Sequence, residues 1–282
     1  MIDLEGPYDH VLLAESPALL ARLPDLAFQL IYLDPPFNTG RTQQRRTIET
    51  SRSPDGDRVG FGGHAYTTRE VSRRSYADAY DDYLAFLGPC LEEAHRLLAP
   101  DGTLYLHLDY REAHYCKVAL DAIFGRDNFL NEIVWAYDYG GRPRNRWPAK
   151  HDTILVYVKD THAYRFDREA VERIPYMAPG LVSPEKAARG KLPTDVWWHT
   201  IVPTNGAEKT GYPTQKPEGI LRRIVQASSD PGAWLLDFFA GSGTTGAVAR
   251  ALERRFVLAD RSEEAIETIR GRLGEHNIRY SP

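Results

Sequence analysis

Apolar residues along the chain gather into short unbroken runs, and an acid, a proline or a glycine closes each one. Val11-Leu12-Leu13-Ala14 ends at Glu15-Ser16-Pro17, and Leu30-Ile31-Tyr32-Leu33 ends at Asp34-Pro35-Pro36. Leu104-Tyr105-Leu106-His107-Leu108 ends at Asp109, Ile154-Leu155-Val156-Tyr157-Val158 at Lys159-Asp160, Trp234-Leu235-Leu236 at Asp237, and Phe256-Val257-Leu258-Ala259 at Asp260. Runs of this length that do not alternate predict buried strands. A further strand is predicted over 129–137. Between the strands the apolar spacing turns helical. Tyr80, Tyr83, Leu84, Leu87, Leu91, Ala94, Leu97 and Leu98 form one stripe, predicting a helix over 76–98 that Pro89 kinks. Shorter helices are predicted at 18–23 and 112–124, from Pro217, from a Thr244 or Thr245 cap through Leu252, and from Ser262 to Leu273. Strand, helix and strand in succession imply right-handed crossovers and a parallel sheet, hence an α/β fold.

Three stretches break this rhythm. Residues 38–75 are rich in Arg, Ser, Thr and Gly with little periodicity, and read as a long loop, a mobile lid over a site. Residues 138–150 and 160–213 are irregular and rich in proline, glycine and aromatic residues. With the strand at 153–158 between them, they read as an appended recognition region over 138–213. The domain plan is therefore 1–137, 138–213 and 214–282.

Composition narrows the class. The 282 residues are 42% hydrophobic and 26% charged, enough for one large globular domain with an inserted module. No apolar run approaches the roughly 18 residues that span a membrane. Met1-Ile2-Asp3-Leu4-Glu5 lacks a basic start and an apolar stretch, so no secretory signal is expected. Two cysteines, Cys90 and Cys116, make no disulfide framework, and a reducing cytoplasmic setting is expected. The net charge of −4 is not that of a bulk nucleic-acid binder, but the cations are grouped. Residues 41–74 carry eight arginines against four acids, and Arg142-Pro143-Arg144-Asn145-Arg146-Trp147-Pro148-Ala149-Lys150 carries no acid. Arg41, Arg45, Arg46, Arg142, Arg144 and Arg146 are candidate phosphate contacts; the bland alternative is solvated surface.

The candidate chemistry lies at two strand ends. At Asp34-Pro35-Pro36-Phe37 the prolines stop the strand, since neither offers a backbone N–H, and hold a stiff turn. Asp34 then stands where open α/β sheets bind ligands. A carboxylate, a fixed Pro35 carbonyl and the Phe37 face suit a planar group bearing an NH2. The second site is Asp237-Phe238-Phe239-Ala240-Gly241-Ser242-Gly243-Thr244-Thr245-Gly246, a strand, a glycine turn and a helix, with Asp260 19 residues beyond Gly241. Glycines admit a ligand to the backbone, the helix N-terminus favours an anion, and the acid suits ribose hydroxyls. Glycine spacing alone leaves two cofactors open, a dinucleotide or S-adenosylmethionine.

Taken together the motifs resemble the amino-methylating DNA methyltransferases, and their order resembles the beta group of that family. Asp-Pro-Pro-Phe is similar to the catalytic motif and comes first. The Asp-Phe-Phe-Ala-Gly-Ser-Gly run is similar to the methyl-donor motif and comes last. Thr214-Gln215-Lys216-Pro217 is similar to an additional cofactor-side motif. The resemblance covers about residues 8–272 and is weakest in 40–75 and 160–213. It departs after the first strand, where Ala14-Glu15 stands in place of Gly-Asp. It implies a doubly wound, Rossmann-like methyltransferase sheet with circularly permuted motif order and an inserted recognition region. It also implies transfer of a methyl group from S-adenosylmethionine to the N6 amine of a flipped-out adenine, with cytosine N4 as the alternative. Asp34, Pro35, Pro36 and Phe37 would form the catalytic turn. Asp237, Phe238, Phe239, Gly241, Gly243 and Thr244 would line the donor site, with Asp260 at the ribose and Lys216 near the donor's carboxylate. A homodimer and a restriction endonuclease partner are further expectations.

Rivals are a dinucleotide oxidoreductase, a non-catalytic DNA-binding module, and an amine methyltransferase for RNA or protein. A dinucleotide enzyme usually opens with its glycine unit, whereas 22 residues follow Asp260 here. Pro89-Cys90 is similar to the nucleophile pair of cytosine carbon-5 methyltransferases, yet it lies inside a helical stripe, where a structural cysteine is the usual case. His107, His114 and His151 have no metal-ligand spacing, so no metal site is expected, and His107 reads as a packed strand residue.

Overall fold

The computed structural model describes residues 2–52, 58–59, 65–78, 80 and 82–282. The chain divides into a small unit, Pro36–Asp81, and a large one, Met1–Pro35 with Asp82–Pro282.

The large unit is built on one nine-stranded sheet. In chain order it contains β1 (Asp9–Leu13), α1 (Ser16–Leu20) and β2 (Phe28–Leu33). The small unit follows with β3 (Arg41–Arg52), β4 (Arg58–Val59) and β5 (Ala65–Asp78). The large unit resumes with α2 (Tyr83–Leu97), β6 (Leu98–Leu108), α3 (Ala113–Phe124), β7 (Phe129–Ala136) and β8 (His151–Val158). Then come α4 (Pro184–Arg189), β9 (Val196–Trp198), α5 (Glu218–Ser228), β10 (Trp234–Asp237), α6 (Thr244–Ala251), β11 (Arg255–Asp260), α7 (Glu263–Leu273) and β12 (Ile278–Ser281).

Strand order is β12-β1-β11-β10-β2-β6-β8-β7-β9. All pairings from β12 to β6 are parallel. β8 alone runs against its neighbours, and β9 is parallel to β7. The carboxyl ends of β2, β6, β7, β9, β10 and β11 therefore share one edge. Period-two alternation sorts each strand's side chains onto two faces. Leu30, Tyr32, Tyr105, Leu235, Phe256 and Leu258 pack in one core with Ile220, Leu221, Ile224, Val248 and Ile269 of α5, α6 and α7. The intervening Ile31, Leu33, Leu104, Leu106, Leu236 and Val257 are equally buried on the face that α1, α2 and α3 cover. The sheet is doubly wound, as expected. Being covered on both faces is why its strands are continuous apolar runs.

Four expectations are corrected. The described residues of 38–75 do not form a structureless loop. β3 and β5 pair antiparallel from Arg41 with Asp78 to Arg52 with Tyr66, with one register shift after Thr47. Thr42, Thr47, Ile48, Thr50, Thr67, Thr68 and Val71 supply the β-branched residues that favour strands. A ribbon polar on both sides carries no hydrophobic period to reveal it. The helix predicted from Tyr76 starts at Tyr83 instead, where the Asp82 carboxylate accepts the Ala85 N–H at 2.9 Å. Neither Thr244 nor Thr245 caps α6: the N-cap is Gly243 in the left-handed region, and no side chain caps it. Finally, β12 was not expected; it adds an edge strand beside β1. Within the stretch 160–213, β9 joins the main sheet edge and buries Trp197.

Candidate active site

β10 lies beside β2, with Leu235 opposite Leu30 and Leu236 opposite Ile31. From β10 the chain winds one way, through α6 to β11; from β2 it winds the other way, toward β6. Such a reversal opens a crevice at the carboxyl ends of the strands, the usual ligand site of open α/β sheets. The topology thus brings together two motifs from opposite ends of the sequence.

Asp34 follows β2 directly and lies on the same face as Tyr32. The ammonium of Lys216 sits on its carboxylate, 2.6 Å from Oδ1 and 2.5 Å from Oδ2. The two side chains are only 12% and 16% exposed, so the pair is shielded from most solvent screening. Sequence reasoning assigned Lys216 to the cofactor's carboxylate; the structure puts its head on Asp34. Its backbone is tied to the glycine turn, since Thr244 Oγ1 donates to the Lys216 carbonyl at 3.1 Å. Arg272, which the sequence did not single out, donates to Thr244 Oγ1 at 3.0 Å and to Glu218 Oε1 at 2.6 Å. Gln215 anchors the preceding segment, accepting from the Thr210 N–H at 2.8 Å and donating to the Glu208 carbonyl at 2.6 Å. Pro35 is buried at the end of the large unit; Pro36 and Phe37 belong to the small one.

The glycine turn is fixed by two acids. Asp260 accepts the Gly241 N–H through one oxygen and the Ser262 N–H through the other, both at 2.9 Å. Burial pushes its carboxyl above the ordinary range, and these two N–H donors oppose that. Asp237 is buried more deeply, and its carboxyl is pushed up to about 7 by desolvation. It accepts from Thr245 Oγ1 at 2.6 Å and from the Phe239 N–H at 3.0 Å, and the charge of Asp34 adds to the upward push. Phe238 is buried, while Phe239 is half-buried with its ring centroid 5.1 Å from that of Phe238.

Gly241 and Gly243 both have left-handed backbones, at φ +49° and +71°. A Cβ at Gly243 would meet Ile269 Cγ1 at 2.8 Å, and one at Gly241 would meet the Tyr212 ring at 3.2 Å. The glycine requirement is therefore steric as well as conformational. A backbone without side chains, a helix N-terminus and two flanking acids fit a nucleoside that carries an amino acid. Tyr212, beside Gly241, was missed, because an isolated tyrosine in an irregular loop carries no pattern.

A chain of polar groups, buried but for the half-buried Tyr137, crosses β2, β6 and β8 and ends at the residue that follows β7. Tyr32 Oη lies 2.7 Å from His107 Nδ1, His107 Nε2 lies 3.1 Å from Asp152 Oδ2, and Tyr137 Oη donates to Asp152 Oδ1 at 2.8 Å. Burial raises the Asp152 carboxyl, but the His107 and Tyr137 hydrogen bonds and the nearby Lys216 charge outweigh it and hold it below the ordinary range. His107 is buried as expected, but as a link in this chain. The signal was available, in polar residues placed near the ends of apolar strands.

The candidate DNA contacts divide. Arg142, Arg144 and Arg146 are exposed on the segment between β7 and β8, which leaves the sheet at the same edge as Asp34. Trp147 beside them is 94% exposed. The side chains of Arg41, Arg45 and Arg46 lie outside the described ones. Cys90 is buried in α2, and burial pushes its thiol up to about 11, which suits a structural role. Among the described residues no cluster of three or more His, Cys, Asp or Glu could hold a metal, and no helix is long and apolar enough to cross a membrane.

Comparison with known proteins gives consistent matches. A family model described as DNA methylase, of the N6/N4 kind, matches residues 28–271. The chain is 30% identical over 261 residues to the DNA adenine methyltransferase YhdJ of Escherichia coli K12, covering 90% of this chain and 78% of that protein. It is also 30% identical to the type II methyltransferase M.HpaI of Haemophilus parainfluenzae, over 90% of this chain and 70% of that one. Among solved structures, the cytosine-N4-specific PvuII DNA methyltransferase superposes with a TM-score of 0.63 at 14% identity, over 96% of this chain and 88% of the other. The M1.HpyAVI complex with its SAM ligand gives 0.59 at 20% identity, over 94% and 98%.

Proposed function

The chain belongs to the N6/N4 DNA methylases, and from that premise we propose that it methylates the N6 amine of adenine in double-stranded DNA at the crevice between β2 and β10. The observation that carries this reading is the convergence of Asp34, Lys216 and the Gly241–Gly243 turn at one sheet edge. When bound, S-adenosylmethionine supplies an electrophilic methyl group on a positively charged sulfur. Gly241 and Gly243 would admit it to the backbone, Asp260 would take the ribose hydroxyls, and Asp237, with Phe238, Phe239 and Thr244, would border the amino-acid end. Lys216 would meet its carboxylate.

A paired adenine amine is stacked and hydrogen-bonded, so the base must leave the duplex. Asp34 and the Pro35 carbonyl then accept its two N–H groups, which aims the nitrogen lone pair at the methyl group. Pro36 stiffens the turn, and Phe37 stacks on the base. As the nitrogen gains positive charge, the fixed carboxylate of Asp34 stabilises it without reorganising, so catalysis is by orientation and electrostatics. The exposed cations Arg142, Arg144 and Arg146 hold phosphates, joined by Arg41, Arg45 and Arg46, and Trp147 offers a stacking face. Residues 138–213 serve as the target-recognition region between the catalytic half, 1–137, and the donor half, 214–282. A homodimer, a cognate restriction endonuclease and a cytoplasmic setting complete the reading, in keeping with the type II name of the Haemophilus relative.

The test is transfer of labelled methyl from S-adenosylmethionine to unmethylated genomic DNA, with nucleosides identified by mass. N6-methyladenine supports the reading. N4-methylcytosine keeps the mechanism and replaces the base, since a carboxylate accepts either amine. Cofactor binding without transfer to DNA redirects the search to RNA or protein amines.

A further inference from the structure

Lys216 joins the two halves of the crevice in an unusual way. Its backbone carbonyl is held by Thr244, the first residue of α6 behind the glycine turn, while its ammonium covers both carboxylate oxygens of Asp34. Arg272 stiffens the backbone end by binding Thr244 Oγ1, the Ser242 carbonyl and Glu218. One end is anchored to the donor site, and the other reaches the acceptor site on a flexible four-carbon stem.

An ammonium in that place opposes the proposed chemistry. The amine nitrogen gains positive charge during transfer, and a fixed cation beside Asp34 would cancel the stabilisation that the carboxylate gives. It also occupies one acceptor position on each of the two oxygens that should receive the amine. The head must therefore leave Asp34 before transfer, and it needs another anion to go to. Asp152 already lies in its field, but it is buried and held by His107 and Tyr137, one on each oxygen. On the reading above, the anion that comes only with the second substrate is the carboxylate of the methyl donor, which would bind at the glycine turn where Thr244 holds the Lys216 backbone.

We infer that Lys216 is a positioning residue that couples the two substrates. The donor's carboxylate draws the ammonium off Asp34 and so readies the acid for the base. This rests on the methyltransferase reading above. The coupling disfavours capture of an extruded base while no methyl donor is present.

The test reads base capture apart from methyl transfer. The duplex carries the site mapped by methylation, with 2-aminopurine beside the target adenine, so that fluorescence rises when the adenine leaves the stack. Wild-type protein is compared alone, with S-adenosylhomocysteine, and with 5′-methylthioadenosine, which keeps the nucleoside and sulfur but lacks the carboxylate. Capture should strengthen about tenfold or more with S-adenosylhomocysteine and stay near the unliganded level with 5′-methylthioadenosine. In Lys216→Met, capture should be equally strong in all three conditions. Two results would overturn the inference: equal promotion by the two ligands in the wild type, or undiminished dependence on S-adenosylhomocysteine in the variant. Loss of capture by Lys216→Met in every condition would also overturn it, because Lys216 would then merely hold Asp34 in place. The wild-type comparison needs no variant to fold. Failure of the methyltransferase reading shows separately, as absence of methyl transfer by the wild type.

Discussion

Replacing Gly243 by alanine probes the glycine turn with a magnitude the structure supplies. Two penalties combine there. The left-handed backbone, at φ +71°, costs a residue with a Cβ roughly 1–2 kcal/mol. The new Cβ would also stand 2.8 Å from Ile269 Cγ1, in a fully buried part of α7, and overpacking of this kind costs about 1–3 kcal/mol. The Ile269→Ala background separates the two effects, because the clashing atom is gone there and the backbone penalty alone remains. In a chain of this size each kcal/mol moves Tm by about 2–4 °C, so Gly243→Ala should lower Tm about 2–12 °C more in the wild type than in Ile269→Ala. Scanning calorimetry checks this. Calorimetric titration with S-adenosylmethionine should show Gly243→Ala weakened about tenfold in the wild-type background, equivalent to about 1.4 kcal/mol. Adding Ile269→Ala should recover most of the lost affinity. Equal Tm shifts and equal losses of affinity in the two backgrounds would refute the steric reading of the turn.

Further predictions concern pH, the buried network and DNA. Because burial lifts the Asp237 carboxyl to about 7, its contribution to stability is full below its unfolded value and is lost as pH rises through about 7. That loss is on the order of 4 kcal/mol, so Asp237→Asn should show a flatter urea-unfolding stability between about pH 5 and pH 8 than the wild type; parallel profiles would contradict it. His107→Phe leaves the Tyr32 hydroxyl and the Asp152 carboxylate without their shared partner, and should cost roughly 3 kcal/mol in denaturant unfolding; a loss no larger than that of a surface change would argue against the network. Arg144→Ala and Arg146→Ala should each lower the salt slope of DNA binding by about 1, whereas Trp147→Ala should weaken binding by about 1–3 kcal/mol with the slope unchanged. Wild-type affinity and slope in all three would remove this loop from the interface.

How legible the site was in the sequence depended on whether a residue's role left a local pattern. The turn at Asp34 and the glycine turn at Gly241–Gly243 could be read because prolines, glycines and an acid at a strand end have few other uses together. Their adjacency comes from the pairing of β10 with β2, a strand order that the run-and-helix rhythm did not specify. The β3–β5 ribbon stayed hidden because its residues are polar on both faces, so strand pairing left no period to detect. The pairing of Lys216 with Asp34 stayed hidden for a different reason. A lysine after a loop has a long, flexible reach, and only the tertiary fold decides which anion it meets. His107, Asp152 and Tyr137 were legible as residues but not as a chain, because they belong to β6, to β8 and to the end of β7, and the sheet order that joins them is not written in sequence order.

The most direct measurement is single-turnover methyl transfer by Asp34→Asn, alongside its affinity for S-adenosylmethionine. Asparagine keeps the shape and one acceptor oxygen but removes the charge that opposes the developing cation. The methyl-transfer rate should fall about 10²–10³-fold while cofactor affinity stays near that of the wild type. A variant that transferred methyl at the full wild-type rate would place the reacting amine somewhere other than the Asp34 carboxylate and contradict the assignment of this crevice as the catalytic site.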